Sequence, residues 1–102
     1  MERYSKIINL FRKTISSLAS IEKIAVDVNI QNEASKYLSD IISQYCNFLE
    51  NKSIEKIIFQ FNEDDIVDFS YRCIESKDND FVRLAEDVQF GIIELIKEIE
   101  IL

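Results

Sequence analysis

The residues of this 102-residue sequence that are best suited to chemistry are the aspartates of Asp64-Asp65-Ile66-Val67-Asp68. On a helix, positions four residues apart lie on the same face, so Asp64 and Asp68 would present their carboxylates side by side. Carboxylate pairs of this kind can hold a magnesium ion. The same residues can instead stabilise the start of a helix, where the helix dipole favours negative charge and Asn62 is a good capping residue.

Two enzyme families share parts of this pattern. The segment resembles the aspartate-rich DDxxD box of prenyl and terpene synthases, which holds magnesium against a diphosphate, but that fold needs a much longer chain. Asp65 and Asp68 resemble the carboxylate spacing of MazG-type all-α nucleotide pyrophosphatases. That resemblance implies a magnesium site that Glu86 and Asp87 would complete from the last helix. The glutamate-rich first pattern of that family and its second motif are absent here.

The composition excludes several other kinds of site. Because the sequence contains no histidine, it cannot form a Ser-His or Cys-His catalytic pair. Its single glycine, Gly91, excludes a glycine-rich phosphate loop. A calcium loop beginning at Asp78 would need an oxygen ligand and then a glycine where Val82 and Arg83 stand. We therefore expect a protein that is not an enzyme and that has no cofactor and no metal.

The acidic charge is concentrated between Asn62 and Asp87. This stretch has nine acidic residues against three basic ones, a net charge of −6, whereas the whole chain has −7 and residues 1–61 have +1. Clustered charge repels itself and destabilises the folded state, so attraction of a basic partner is its more plausible use. A pI near 4.5 argues against direct binding of nucleic acid or of an anionic membrane.

Three features of the chain suggest its compartment. The N-terminal segment is interrupted by Asn9, Arg12 and Lys13, so we expect no signal peptide. No run approaches the roughly 20 apolar residues that span a bilayer. Cys46 and Cys73 lie among apolar neighbours, so we expect two buried, reduced thiols. Together these observations predict a cytoplasmic protein.

The fold class follows from the lack of turn-forming residues. A chain with no proline and one glycine favours helices joined by Asn, Asp and Ser. We expect one domain, residues 1–102, folded as an all-α bundle of four to five helices. The alternative is an α/β fold with two short strands near 22–30 and 55–62. It arises because Ser20–Ile24 and Ser53–Ile57 are identical in sequence and each precedes alternating apolar and polar residues.

Apolar spacings of three and four residues predict where the helices of the first half lie. The first helix is expected from Glu2 to Leu18, with a continuation towards Val28 after a bend or break between Ser16 and Ser20. The second is expected to begin after Asn32 and to end at Asn51-Lys52. A further helical segment, capped by Ser53, is expected over residues 54–61.

The second half of the chain carries the most regular pattern. Asn62 is expected to cap a helix that ends near Ser76, and Lys77-Asp78-Asn79-Asp80 is expected to be a loop. The last helix is predicted from Phe81 to Leu102, because its apolar residues alternate at spacings of four and three throughout.

Phe90 stands apart from the apolar stripe of this last helix. With 100° per residue it lies about 200° from Val88, among charged residues. An aromatic residue within a polar rim is typical of an interface anchor. The alternative is that the last helix is central and packed on both sides, which would bury Phe90.

In size, acidity and predicted helical content the chain is similar to the small immunity proteins of bacterial contact-dependent inhibition and colicin-type toxin systems. This resemblance implies a cytoplasmic antitoxin-type inhibitor whose acidic surface covers the cationic active site of a toxin, typically a nuclease. The alternative is a helix-bundle adaptor or secretion chaperone that recognises its partner through apolar grooves. The magnesium-dependent pyrophosphatase described above is the third possibility.

The predicted partner-binding surface consists of eight acidic residues and two aromatic ones. They are Asp64, Asp65, Asp68, Glu75, Asp78, Asp80, Glu86, Asp87, Tyr71 and Phe90.

Overall fold

The computed structural model describes the backbone of residues 2–52, 57–75 and 79–100 and the side chains of residues 3–52, 57–75 and 82–99. Within these ranges the chain forms four helices, namely α1 (Glu2–Ile24), α2 (Val28–Asn51), α3 (Glu63–Glu75) and α4 (Asn79–Glu100). The described residues contain no strand, so the all-α prediction is confirmed. The α/β alternative is wrong for residues 22–30 and 57–62.

The order of packing makes α1 and α4 the centre of the bundle. Helix α1 packs between α2 and α4, and α4 packs between α1 and α3, while α3 makes a smaller contact with α2. Four side chains of α4, those of Ala85, Val88, Ile92 and Leu95, are completely buried, which confirms the stripe predicted for this helix. The side chains of Phe81 and Leu102 lie outside the described residues.

Helix α1 is continuous to Ile24, so the predicted break between Ser16 and Ser20 is wrong. The predicted continuation towards Val28 is confirmed only as far as Ile24, because residues 25–27 are not helical and Val28 begins α2. Helix α1 has two buried faces, one towards α2 and one towards α4. Phe11 stacks on Tyr45 of α2, with ring centroids 5.1 Å apart. Thr14 is fully buried towards α4, where a Cβ atom added to Gly91 would overlap the Thr14 hydroxyl. One unbroken helix therefore packs against two neighbouring helices.

Helix α2 begins at Val28 and not after Asn32 as predicted. Asp27 is its N-cap, and the Asp27 carboxylate accepts a hydrogen bond of 2.8 Å from the backbone N–H of Asn29. The alternating residues that suggested a strand are therefore a cap followed by a first helical turn. The predicted end is confirmed, because α2 stops at Asn51 and Lys52 adopts the left-handed conformation.

Residues 57–62 are not helical, so the helix predicted over 54–61 is wrong in its described part. This segment runs along α2. The backbone N–H groups of Ile58 and Gln60 donate to the side chains of Gln44 and Asp40, at 3.1 and 3.0 Å. Ile57 is buried, whereas Ile58 is 67% exposed. Residues 53–56, including the predicted cap Ser53, lie outside the described residues.

Phe61 fixes the end of this segment and leads into α3. Its ring meets Tyr37 of α2 edge to face at 5.1 Å. The predicted cap at Asn62 is confirmed, because its side chain accepts from the backbone N–H of Asp65 at 2.9 Å. The helix ends at Glu75, close to the predicted Ser76.

The loop predicted at Lys77–Asp80 is wrong in its second half. Helix α4 begins at Asn79, so the backbone of Asn79 and Asp80 is already helical. Asparagine and aspartate are favoured in the first turn of a helix as well as in loops, so their presence did not separate the two.

The two cysteines differ in environment. Cys73 is completely buried, as predicted, whereas Cys46 on α2 is exposed, so the prediction for Cys46 is wrong. Cys46 lies between the buried stripe of α2 and its solvent-facing side, and apolar neighbours in sequence did not reveal which way it faced. In the part of the chain that the structure describes, no helix is both long and apolar enough to cross a bilayer.

Candidate functional site

Four of the predicted site residues form one stripe along the outer side of α3. With 100° per residue, Asp64, Asp68, Tyr71 and Glu75 fall within an arc of roughly 60°. Their spacing of four, three and four residues keeps them aligned over three turns. All four side chains are exposed, and Tyr71 is 59% exposed. The sequence prediction therefore selected residues that do share a surface.

The opposite side of α3 holds the helix in place. Ile66, Phe69 and Cys73 are completely buried, and Phe69 meets Tyr37 of α2 edge to face at 5.2 Å. Burial raises the pKa of the Cys73 thiol to about 11, because an apolar environment disfavours the thiolate. Burial is also the main cause of the raised pKa of Tyr37. The acidic stripe is thus carried on a rigid, well-packed helix.

Asp68 belongs to a small ion network. Its carboxylate lies 3.1 Å from Arg72, one turn further along α3, and remains 72% exposed. Arg72 also reaches Glu33 of α2, with a hydrogen bond of 2.9 Å from Nη2 to Oε1 and a second close contact between Nη1 and Oε2. The hydrogen bond to Glu33 is the main cause of the raised pKa of Arg72. Arg72 is oriented mainly by Glu33, so Asp68 keeps most of its surface open to solvent.

Asp65 faces away from the stripe and caps the helix. Its carboxylate accepts a hydrogen bond of 3.1 Å from the backbone N–H of Asn62, while Asn62 caps the N–H of Asp65 in return. This reciprocal pair is a capping box. Asp65 therefore has a structural role in capping α3, although its side chain is exposed.

Helix α4 adds two exposed site residues, Glu86 and Phe90. Phe90 is 57% exposed, so the prediction that it lies on an outer face is confirmed and the alternative that a central α4 buries it is wrong. Asp87 differs from Glu86, because its carboxylate lies 3.5 Å from Lys13 of α1. The Lys13 ammonium also lies 5.9 Å from the centre of the Phe90 ring.

The outer sides of α3 and α4 form a common surface. The Ser70 hydroxyl donates to the Gln89 side chain at 2.8 Å, which places residues 70 and 89 at the same level of the two helices. Tyr71 and Phe90, each the next residue, are therefore exposed at a similar height. We call this surface the acidic face, defined by Asp64, Asp68, Tyr71, Glu75, Glu86 and Phe90.

Asp78 and the side chain of Asp80 lie outside the described residues. The ten predicted residues thus divide into three groups. Six form the acidic face, Asp65 and Asp87 are used by capping and by an ion pair, and two are not described. Among the described residues, Asp64, Glu75 and Glu86 make no ion pair.

Lys13 is the residue at this site that the sequence prediction did not include. It reduces the negative charge next to Phe90, and its position on α1 follows from the close packing of α1 on α4. The signal in the sequence is the basic character of the first helix, which contains Arg3, Lys6, Arg12 and Lys13.

Glu98 shows how an acidic residue is neutralised elsewhere in the protein. It is buried at the end of α4 and contacts Arg3 at 3.0 Å and Lys6 at 2.9 Å. The hydrogen bond from Lys6 is the main cause of the lowered pKa of Glu98, and the same bond raises the pKa of Lys6. This pairing joins the first and last helices.

A shallow open groove of about 520 Å³ adjoins the start of the acidic face. Asp64 and Glu63 line one side, and apolar side chains, including Phe59 and Ile96, line the rest. The groove can accept an apolar or cationic side chain of a partner. Within the described ranges, no group of three or more potential ligands could hold a metal ion.

Comparison with known proteins gave no match to any family model, to any curated protein or to any solved structure.

Proposed function

We propose that this protein is an immunity or antitoxin-type inhibitor that binds a basic toxin domain through its acidic face. The toxin chemistry that suits this face best is that of a nuclease. An enzyme that binds nucleic acid presents cationic side chains to the phosphates, and a row of carboxylates can bind the same cationic side chains. An inhibitor of this kind acts in the bacterial cytoplasm.

The observation that carries the proposal is the stripe on α3. Asp64 and Asp68 lie one turn apart, which separates their Cβ atoms by roughly 6 Å and gives two negative groups on one line. Tyr71 follows directly, and Glu75 extends the line. An exposed aromatic side chain within a charged rim is the usual composition of an energetic centre of a protein interface.

The rigidity of α3 supports the same interpretation. Phe69 and Ile66 fix the helix from below, so its carboxylates need little reordering when a partner binds. Opposite charges also accelerate association, and a toxin inhibitor benefits because it must capture its target before damage occurs.

The test is co-purification of tagged protein from its own cells, followed by a nuclease assay of the retained partner. We expect a basic protein whose nuclease activity is abolished by an equimolar amount of the inhibitor. The decisive variant is Asp64→Lys/Glu75→Lys, because neither carboxylate makes an ion pair within the described residues. It should lose both retention and inhibition.

The matched control is Glu22→Lys/Glu50→Lys, which places the same charge change on α1 and α2. Both variants reverse two acids, so each moves the net charge from −7 to −3. Equal loss of binding in both would show that net charge matters and the acidic face does not. Retention of a partner without nuclease activity would contradict the proposed toxin chemistry.

A further inference from the structure

Helix α2 carries a second exposed stripe, and this one is apolar. Leu38, Ile42, Tyr45 and Leu49 fall within an arc of roughly 60°, at spacings of four, three and four residues. Ile42 is 42% exposed and Leu49 is 38% exposed. Leu38 and Tyr45 are partly buried, so the stripe is continuous with the core below it.

The surroundings of this stripe are almost free of charge. The stripe lies within an arc of roughly 120° around α2, which also contains Ser35, Ser39 and Cys46. The charged residues of α2 all lie outside this arc; they are Glu33, Lys36, Asp40 and Glu50. The neighbouring side of α1 adds the partly buried Ile15. Two charged residues of α1 adjoin this side of α2. Arg12 donates to the Tyr45 hydroxyl at 3.1 Å, and the backbone carbonyl of Glu22 accepts from the Gln31 side chain at 3.2 Å.

We infer that this α1–α2 face binds a second copy of the same chain, with the two α2 helices antiparallel. A spacing of four and three apolar residues is the pattern by which helices pack in pairs. An antiparallel pair with its two-fold axis between Leu38 and Ile42 overlaps the full length of α2. In that register Leu38 packs on Ile42 of the second copy, and Lys52 lies near Asp27 of the second copy, which pairs opposite charges at both ends.

The charge distribution of the whole chain favours a second copy at this face. Two molecules of charge −7 repel each other, and the repulsion is smallest when they meet through residues 1–61, whose net charge is +1. The acidic faces on α3 and α4 then remain apart and accessible. The dimer therefore does not depend on the proposed inhibitor function.

Sedimentation equilibrium of the intact protein from about 1 µM to about 1 mM tests the inference. We expect a monomer–dimer equilibrium that does not weaken as NaCl increases, because the interface is apolar and salt screens the repulsion between the copies. Ile42→Lys should raise the dimer dissociation constant at least about 100-fold, since each dimer would bury two unpaired ammonium groups.

The matched control is Ile58→Lys, the same substitution at a side chain that is 67% exposed and lies outside the face. It should dimerise like the wild type. If Ile42→Lys unfolds by circular dichroism, Leu49→Lys takes its place. Any of three results would overturn the inference. The wild type could be monomeric at every concentration, the dimer could persist in both Ile42→Lys and Leu49→Lys, or the Ile58→Lys control could dissociate as much as Ile42→Lys.

The chain supplies its own probe for the orientation of the two copies. Cys46 is exposed at the edge of the stripe while Cys73 is completely buried, so a spin label attaches selectively to Cys46. In the antiparallel register the two Cys46 Cα atoms are separated by about 20 Å, against about 10 Å for a parallel pair. Double electron–electron resonance should give the longer distance. Broadening of the continuous-wave spectrum, which reports the shorter distance, or no coupling between labels, would contradict the antiparallel dimer.

Discussion

The outer stripes of α2 and α3 have the same geometry and opposite chemistry. Both place four residues along one line at spacings of four, three and four. On α2 the line is Leu38, Ile42, Tyr45 and Leu49, and on α3 it is Asp64, Asp68, Tyr71 and Glu75. The first contains no charge and the second contains three carboxylates around one tyrosine. Helical periodicity therefore identifies a surface, but the side chains decide what the surface can bind.

This difference predicts opposite responses to salt. An association through the α3 stripe should weaken as ionic strength rises, because screening reduces attraction between opposite charges. An association through the α2 stripe should be unchanged or stronger. The following four predictions examine the scaffold that both stripes share and the acidic residues of α3, in order of decreasing effect on stability.

The largest effect is expected at the contact between α1 and α4, which supports both stripes. Gly91→Ala should lower the free energy of unfolding by about 3 kcal/mol, because the new methyl group overlaps the Thr14 hydroxyl. Thermal or urea unfolding measures the loss. The Thr14→Ala/Gly91→Ala double variant should recover part of it, and additive losses in the double variant would show that the two residues do not meet.

Adjacent acids in the first turn of α3 should differ in their effect. Asp65→Ala should cost roughly 1 kcal/mol of unfolding free energy, because it opens the capping box with Asn62. Asp64→Ala should cost only about 0.3 kcal/mol, through the helix dipole. Urea unfolding of the two variants compares a structural acid with an acid of the acidic face. Equal losses of unfolding free energy would show that the two acids do not differ in this way. If they do differ, a charge reversal that includes Asp65 would lower stability as well as partner binding.

Glu98→Gln should produce a smaller loss that depends on pH. Because Lys6 and Arg3 lower the pKa of Glu98, its stabilising effect is present above the ordinary carboxyl pKa of about 4.3. The effect disappears as pH falls through the lower pKa of the folded state. The difference in unfolding free energy between wild type and variant should be constant from neutral pH to about pH 5 and should vanish below that range. A difference that persists in acid would show that Glu98 acts through packing alone.

The smallest effect is expected on the acidic face itself. Asp64→Asn/Glu75→Gln should change the unfolding free energy by less than about 0.5 kcal/mol. Loss of a negative charge at the start of α3 is unfavourable and loss of one at its end is favourable, so the two dipole contributions oppose each other. Denaturant unfolding measures the net change. A substantial destabilisation would mean that these acids serve the fold.

The fold was predicted correctly where a single apolar stripe runs along a whole helix. In α4, Ala85, Val88, Ile92 and Leu95 follow a single apolar stripe, and all four are buried. Prediction was wrong for α1 and for residues 57–62. In α1 the change in the apolar pattern after Ser20 was mistaken for a break, although the helix is continuous to Ile24 and packs on both α2 and α4.

The prediction for residues 57–62 was wrong for a different reason. Their apolar spacing fits a helix, but the backbone N–H groups of Ile58 and Gln60 donate instead to the side chains of Gln44 and Asp40, 14 and 20 residues earlier in the chain. Only part of the candidate site could be predicted from the sequence. The exposed stripe of α3 follows from spacing, whereas the pairing of Asp87 with Lys13 depends on packing between α1 and α4.

The central claim is that the acidic face recognises a basic partner by charge. Its most direct test is the association rate between this protein and the basic protein that it retains from its own cells, measured by stopped flow across a range of NaCl concentrations. We expect a rate that falls steeply with salt for the wild type and for Glu22→Lys/Glu50→Lys, and a slow rate for Asp64→Lys/Glu75→Lys at every salt concentration. A rate that is independent of salt, or that survives the reversal of Asp64 and Glu75, would contradict the account.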